Sequence, residues 1–332
     1  MSRKNVTGLG APTLRQVAEE AGVSIATASR VLNGVPGKAN AETVARVQAV
    51  ANRLAYRPLA AARELRRGQG ELVALLAPNL ANPTMAAIAS SIEAALAADG
   101  IAAIISDTHD QAALQDQALA AMRALRPRAT VLLGAVESPG LAQARAAGDR
   151  LLFVARRCPG APAPFVGIDD HAAGAAVARA LIAGGARRLG AIHGPLFSSA
   201  TADRLAGFRE AAGARLAAGD VLGGAGLDHL RIGAEAARRM LRRGRLPDGL
   251  LCTSDLIAFA AHRVLADAGL PRLPPIWGFD GGPLNAWVAP WLSSVVLAFA
   301  DYGAAVRDWV LDESGTSAGR VVPFSLAPAP RR

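Results

Sequence analysis

The run from Thr13 to Gly34, TLRQVAEEAGVSIATASRVLNG, leaves little freedom in how it can fold. Thr13 is a good N-cap, and Gln16 three residues on can return the hydrogen bond as a capping box. Leu14, Val17, Ala18 and Ala21 then recur at helical spacing and form one apolar face. Gly22 supplies the backbone freedom that a tight turn needs and ends the helix. Ser24 can cap a second helix, in which Ala28, Val31 and Leu32 pack back on the first. The outward side keeps Ile25, Ala26, Thr27, Ser29 and Arg30. These are short side chains that permit close approach, beside one long bidentate donor suited to a guanine edge in a DNA groove. An ordinary helical hairpin fits the same pattern, so this stretch alone leaves both readings open.

The next segment narrows the choice. From Asn40 a third helix is expected, with Val44, Val47, Ala51 and Leu54 on one face. It ends before Tyr56-Arg57-Pro58, because a residue preceding proline is pushed out of helical conformation. Leu59 to Gly68 (LAAARELRRG) is helix-capable but too short to be stable alone in water. Its basic residues and its leucine point to a segment that folds against DNA, with a solvated linker as the plainer reading. Charge is concentrated here. Residues 1–70 carry eleven Lys/Arg against four Asp/Glu, a net +7 of the chain's +9. A phosphate backbone rewards that asymmetry, and binding to it weakens steeply with salt.

The runs LRQVAEEAGVSIATASRVLNG and RLAYRPLAAARELRRG resemble, at the expected separation, the headpiece and hinge of the LacI/GalR family of bacterial transcription regulators. The resemblance implies that Ile25, Ala26 and Arg30 face bases and that Thr27, Ser29 and Asn33 contact or orient on phosphates. Leu65 matches the leucine wedge that enters the minor groove at the operator centre. Thr13, Ser24 and Tyr56 complete the expected DNA-binding set. Val44 stands where the family often has arginine, and Leu59 where it often has asparagine.

Beyond Gly70, short apolar runs alternate with helical stretches. Leu72–Ala77, Ala102–Ser106, Thr130–Leu133, Leu151–Ala155, Gly190–His193, Leu250–Thr253 and Pro275–Gly278 all read as buried parallel strands. Thr84–Ala98 and Gly174–Ala183 read as amphipathic helices between them. The helix bearing Ile88, Ile92 and Leu96 is either core or a dimer interface. Such alternation implies βαβ units and an open sheet whose ligand lies beyond the carboxyl ends of the strands. The expected layout is a small all-α helix-turn-helix headpiece (1–58), a hinge (59–69) and a two-lobed α/β domain with parallel sheets (70–332) that binds effector and dimerises.

The residues just after those strands resemble the family's effector domain, which is similar to periplasmic sugar-binding proteins. Arg204, in ADRLAGF, matches an arginine that grips ligand oxygens, and Asp280, in GFDG, an aspartate that accepts from ligand hydroxyls. Arg156 follows a strand where the family favours aspartate then arginine, and Ala155 stands in place of the acid. Ser254 replaces a frequent asparagine beside Asp255, which is expected to cap the following helix. Thr84 and Met85 take places where an aromatic commonly follows Asn-Pro, so a sugar-stacking ring is missing. Ser198 and Ser199 can add hydroxyls. These arginines lean the ligand toward an acidic or small polyol class.

The sequence shows no paired base and nucleophile, no metal-ligand spacing and no phosphate-cradling glycine loop, and His193 reads as a buried strand residue. Two cysteines, Cys158 and Cys252, form no metal or disulfide pattern. Neither a signal peptide nor a bilayer-length apolar run is visible, so the expectation is a cytoplasmic protein that is no enzyme and carries no cofactor or metal. Its expected partners are operator DNA, a small-molecule effector and a second copy of itself, with repression as the expected outcome. A protein co-regulator in place of the small ligand remains an alternative, as does a solute-binding or enzymatic α/β protein with a helical extension.

Overall fold

The computed structural model describes residues 12–32, 39–56 and 72–330. The expectations for Asn33, for Leu65 and for the hinge 59–69 lie outside them. The chain divides into two compact units, residues 1–70 and 71–332.

In the first unit, α1 (Leu14–Glu20) opens on the expected capping box: Gln16 Oε1 accepts from the Thr13 N–H at 2.7 Å, and Thr13 Oγ1 accepts from the Gln16 N–H at 3.3 Å. Gly22, at φ +63°, turns the chain. Ser24 Oγ then accepts from the Thr27 N–H at 3.1 Å and starts α2 (Ile25–Leu32). Asn40 caps α3 (Ala41–Arg53) through the Thr43 N–H at 2.8 Å. Val17, Ala18, Ala28, Val31, Val47 and Ala51 are buried together, with Val44 and Leu54 half-buried against them. Two arginines of α3 close this small core from outside. Arg46 Nε donates to the Ala21 carbonyl at 3.0 Å, and Arg53 pairs with Glu20 at 2.6 Å.

The second unit holds two six-stranded sheets. The first contains β1 (Leu72–Ala77), β2 (Ala102–Asp107), β3 (Ala129–Leu132), β4 (Leu151–Val154), β5 (Phe165–Gly167) and β11 (Gly319–Val321), in the order β11-β5-β4-β3-β1-β2. The second contains β6 (Leu189–His193), β7 (Leu216–Gly223), β8 (Gly249–Cys252), β9 (Ile276–Asp280), β10 (Ser293–Leu297) and β12 (Phe324–Ala327), in the order β12-β10-β9-β8-β6-β7. Every pairing is parallel except β10 with β12. All seven expected strands are present, with ends shifted by a residue or two. One expectation fails: β2 is not buried but forms the sheet edge, leaving Ile104 and Ile105 37 % and 39 % exposed.

Helices α4 (Pro83–Ala97), α5 (Ala112–Ala124), α6 (Pro139–Ala146) and α12 (Phe299–Leu311) belong to the first lobe. Helices α7 (Asp170–Ala183), α8 (Ser199–Ala212), α9 (His229–Arg242) and α10 (Asp255–Asp267) cover the second, where the short α11 (Asn285–Val288) follows β9. Ile88, Ile92 and Leu96 are fully buried, so that face of α4 is core and not a dimer interface. The chain passes between the lobes three times: from β5 into α7, from β10 into α12, and from β11 into β12.

Candidate DNA-reading helix and effector cleft

On α2 the structure leaves Ile25, Ala26 and Arg30 exposed and Thr27 and Ser29 half-buried. The Thr13 and Ser24 hydroxyls serve as helix caps, and Ser24 Oγ lies 2.9 Å from Thr27 Oγ1. Tyr56 is half-buried against the headpiece core. Caps and core together hold α2 with Ile25, Ala26 and Arg30 exposed on its outward side.

In the second unit the residues beyond the carboxyl ends of the strands meet in a cleft between the lobes. It holds about 60 Å³ of free space. Thr84, Arg156, Ser198, Arg204, Ser254 and Asp280 all line it, although they come from five separate segments. Parallel strands bring such segments to one end of a lobe.

Both cleft arginines are already paired. Arg204 Nε donates to Asp170 Oδ1 at 2.7 Å and its Nη1 to the Thr253 carbonyl at 2.9 Å, while its guanidinium lies 4.3 Å from the Phe279 ring centre. Burial pushes the Asp170 carboxyl up, and Arg204 pulls it back. Burial disfavours the Arg204 cation, but Asp170 and Asp280 outweigh that and raise it. Arg156 Nη1 reaches both oxygens of Asp110, at 2.7 and 2.8 Å. Asp110 and Asp170, absent from the sequence expectations, thus neutralise the two cations expected to receive a ligand.

Ser254 performs the cap that had been expected of Asp255, accepting from the Ile257 N–H at 3.3 Å. Asp255 is instead a buried post for the chain after β9. It accepts from the Gly281 N–H at 2.9 Å, from Asn285 Nδ2 at 2.7 Å and from Ser294 Oγ at 2.7 Å. Asp280 sits next to that post at φ +118°, a strained conformation for a residue with a Cβ. Ser254 Oγ also lies 2.9 Å from His229 Nδ1. Burial, then Arg156 and Arg204, lower His229 to about 4, so the ring is neutral at physiological pH. His229 lines the cleft and was missed from the sequence. His193, half-buried at the end of β6, bonds the Gly194 carbonyl at 2.7 Å and stays outside the cleft lining. Ser199 Oγ accepts from the Arg157 N–H at 2.8 Å, a contact across the lobes that the Arg157–Asp203 ion pair reinforces.

Burial, then the neighbouring Asp255, push the Asp280 carboxyl up to about 7, against the opposing pull of Arg204 and a hydrogen bond from Thr84. The folded chain therefore holds this proton to higher pH than the unfolded chain. Its contribution to stability is complete below about pH 4 and is lost as pH rises through about 7. Asp280→Asn imitates the protonated group, so its urea midpoint should rise relative to the wild type between acidic and mildly alkaline buffer. A gap between the two proteins that stays constant across that range would mean the carboxyl does not titrate there.

Among the described residues no group of His, Cys, Asp or Glu is placed to hold a metal ion, and no helix is long and apolar enough to cross a membrane.

Comparison with known proteins agrees with both units. Residues 13–58 match the profile described as bacterial regulatory proteins, lacI family, and residues 70–274 that of periplasmic binding proteins and sugar binding domain of LacI family. The HTH-type transcriptional regulator reg1 of Streptomyces lividans is 32 % identical over 318 residues, covering 91 % of this chain and 90 % of its own length. Catabolite control protein A of Staphylococcus aureus is 29 % identical over 296 residues, with 88 % and 89 % covered. The fold is similar to that of the lac repressor dimer bound to operator and the anti-inducer ONPF (TM-score 0.78, 23 % identity, 96 % and 98 % covered). It is also similar to that of the regulator CelR in complex with cellobiose (TM-score 0.68, 25 % identity, 96 % and 100 % covered). With both units matched in order along one chain, this protein belongs to the lacI family of bacterial regulatory proteins.

Proposed function

We propose that the chain is a cytoplasmic transcriptional repressor that binds a near-palindromic operator as a homodimer and responds to a neutral, polyhydroxylated small molecule of the sugar class. The observation that carries the DNA-binding half is the outward face of α2, where Ile25, Ala26 and Arg30 stand exposed on a capped and cored scaffold. Short residues let the helix sit deep in a major groove, and Arg30 supplies the hydrogen bonds that tell one base pair from another. Two headpieces in successive grooves require a twofold site, with the Leu65 segments of the pair meeting in the minor groove between them.

The effector class follows from the charge balance of the cleft. A carboxylate or phosphate would find Arg156 and Arg204 already held by Asp110 and Asp170, with Asp280 close by. Hydroxyl groups, which donate as well as accept, suit Asp280, Ser198 and the neutral His229 together. Of the acidic and small polyol classes that the sequence suggested, this favours the polyol. Ligand acts through its different affinity for the two lobe arrangements and so biases the hinges.

Arg30→Ala should flatten sequence preference in a binding-site selection at one position of each half-site while nonspecific affinity falls only slightly. Unchanged preference would remove Arg30 from the reading set. Exposed apolar residues support self-association: Ile104 and Ile105 on the β2 edge, and Leu284, Trp287 (84 % exposed) and Val288 around α11. Ile104→Glu with Trp287→Glu should convert a dimer to a monomer in sedimentation velocity and weaken operator binding with it. A sedimentation profile identical to the wild type would place the interface elsewhere.

A further inference from the structure

Parallel strands put all their starts on one side, so the residues preceding β6, β7, β8 and β9 gather at the end of the second lobe opposite the cleft. That end is strongly basic. Arg187 and Arg188 precede β6, Arg215 precedes β7, Arg242, Arg243 and Arg245 precede β8, and Arg272 precedes β9. Some of these have structural duties. Arg188 holds both oxygens of Asp220, at 2.6 and 2.8 Å, Arg243 donates to the Gly219 carbonyl, and Arg242 complements the C-terminal dipole of α9. Arg187, Arg245 and Arg272 have none of these. They are exposed, lie outside helices and have no carboxylate partner among the described residues.

A groove of about 780 Å³, far larger than the cleft, is lined by Arg272 and by Ala186 and Leu246, the neighbours of Arg187 and Arg245. Its lining mixes polar groups with the apolar side chains of Leu246, Pro247, Leu273, Pro274 and Pro328. Asp248 is its one carboxylate among the described residues, and Asp248 Oδ2 accepts from the Arg187 and Arg188 backbone N–H groups at 3.1 and 3.0 Å. A groove that sets leucine and proline side chains beside polar backbone, with unpaired cations at its borders, offers an extended chain both kinds of contact.

We propose that this end of the second lobe docks an acidic, extended peptide segment of a partner protein, its carboxylates on Arg187, Arg245 and Arg272 and its apolar side chains in the groove. Charge complementarity sets the sign of the partner. The floor selects polypeptide over nucleic acid. Bases bind nonspecifically by stacking on aromatic rings, and the one ring in the lining, Trp277, is only 6 % exposed. A phosphate chain gains nothing from leucine and proline. The groove and the cleft lie at opposite ends of the lobe, so a peptide and a small effector can be bound together.

The test is amide hydrogen exchange on the full-length protein with a peptide of repeated Glu-Leu-Glu-Pro, its Lys-Leu-Lys-Pro counterpart and oligo-dT as probes. The acidic peptide should slow exchange in segments 184–187, 245–248 and 272–275, and the basic one should not. The triple variant Arg187→Glu, Arg245→Glu, Arg272→Glu should lose more than about tenfold in affinity for the acidic peptide, with an unchanged melting temperature. Arg30→Ala should keep the protection. Protection confined to the headpiece, or none at these segments, overturns the proposal. Equal protection there by oligo-dT overturns it in favour of a nucleic acid surface.

Discussion

Replacing Arg204 with alanine should lower the stability of the second unit by about 3–5 kcal/mol, the usual cost of stranding one member of a buried ion pair. Asp170 is the reason. Its carboxyl is 4 % exposed, and Arg204 is the cation that holds it. The same substitution strips the Thr253 carbonyl of its guanidinium donor. Arg204→Lys should recover part of the loss, because an ammonium supplies charge but cannot span Asp170 and Thr253 together. Urea unfolding of the wild type and both variants measures this ordering, and alanine unfolding like the wild type would show that Asp170 does not depend on Arg204. At low temperature, where the alanine variant remains folded, its operator binding without effector should be retained, since the headpiece has a core of its own. Its response to any sugar that raises the wild-type melting temperature should vanish. Such loss of response in a fully folded variant separates a ligand-gripping role from a purely structural one.

Gly207→Val should be comparably damaging, costing about 3 kcal/mol or more. Helices α7 and α8 cross so closely that a Cβ on Gly207 would stand 1.9 Å from the His171 carbonyl oxygen, and one on Gly174 would stand 2.0 Å from the Arg204 carbonyl oxygen. Both obstacles are backbone, so no side-chain rotation relieves them and the helices must part. Asp170 begins one of these helices and Arg204 sits on the other. The crossing that packs the lobe therefore also sets the geometry of the ion pair in the cleft. The valine variant should lose stability and ligand affinity together, read by urea unfolding and by thermal shift with a sugar that stabilises the wild type. A normal urea midpoint would mean that the crossing can open at little cost.

The sequence made legible what is local. Capping signals at Thr13, Ser24 and Asn40 and the turn at Gly22 located the headpiece helices, because each cap acts on a backbone N–H two or three residues away. The resemblance to the family's effector domain pointed to Thr84, Arg156, Ser198, Arg204, Ser254 and Asp280, and parallel topology brings the segments after the strands side by side. What stayed hidden depended on distant partners. Asp110 pairs with Arg156 across 46 positions of sequence and Asp170 with Arg204 across 34. Nothing around either acid announces the arginine. His229 enters the cleft only because α9 begins where β7 ends, and β7, interrupted by Gly219 and Asp220, did not read as a strand. In β10, Ser293 and Ser294 masked a buried strand, their polarity satisfied by the Ala329 N–H and by Asp255. The apolar run of β2 misled in the opposite sense, since position at a sheet edge, and not composition, decides exposure.

The pairing of β11 with β5 reaches from residues 319–321 back to residues 165–167. The first lobe, though three of its helices and five of its strands emerge before the second lobe begins, receives its final strand only after almost all of the second lobe has been made. Its α12, which packs against α4, arrives nearly as late. A ribosome-bound chain can thus present a finished headpiece, folded from residues close together in sequence, while the unit meant to govern it is still incomplete. Translation arrest before residue 319 would leave the headpiece complete and the β5 edge of the first lobe without its partner strand.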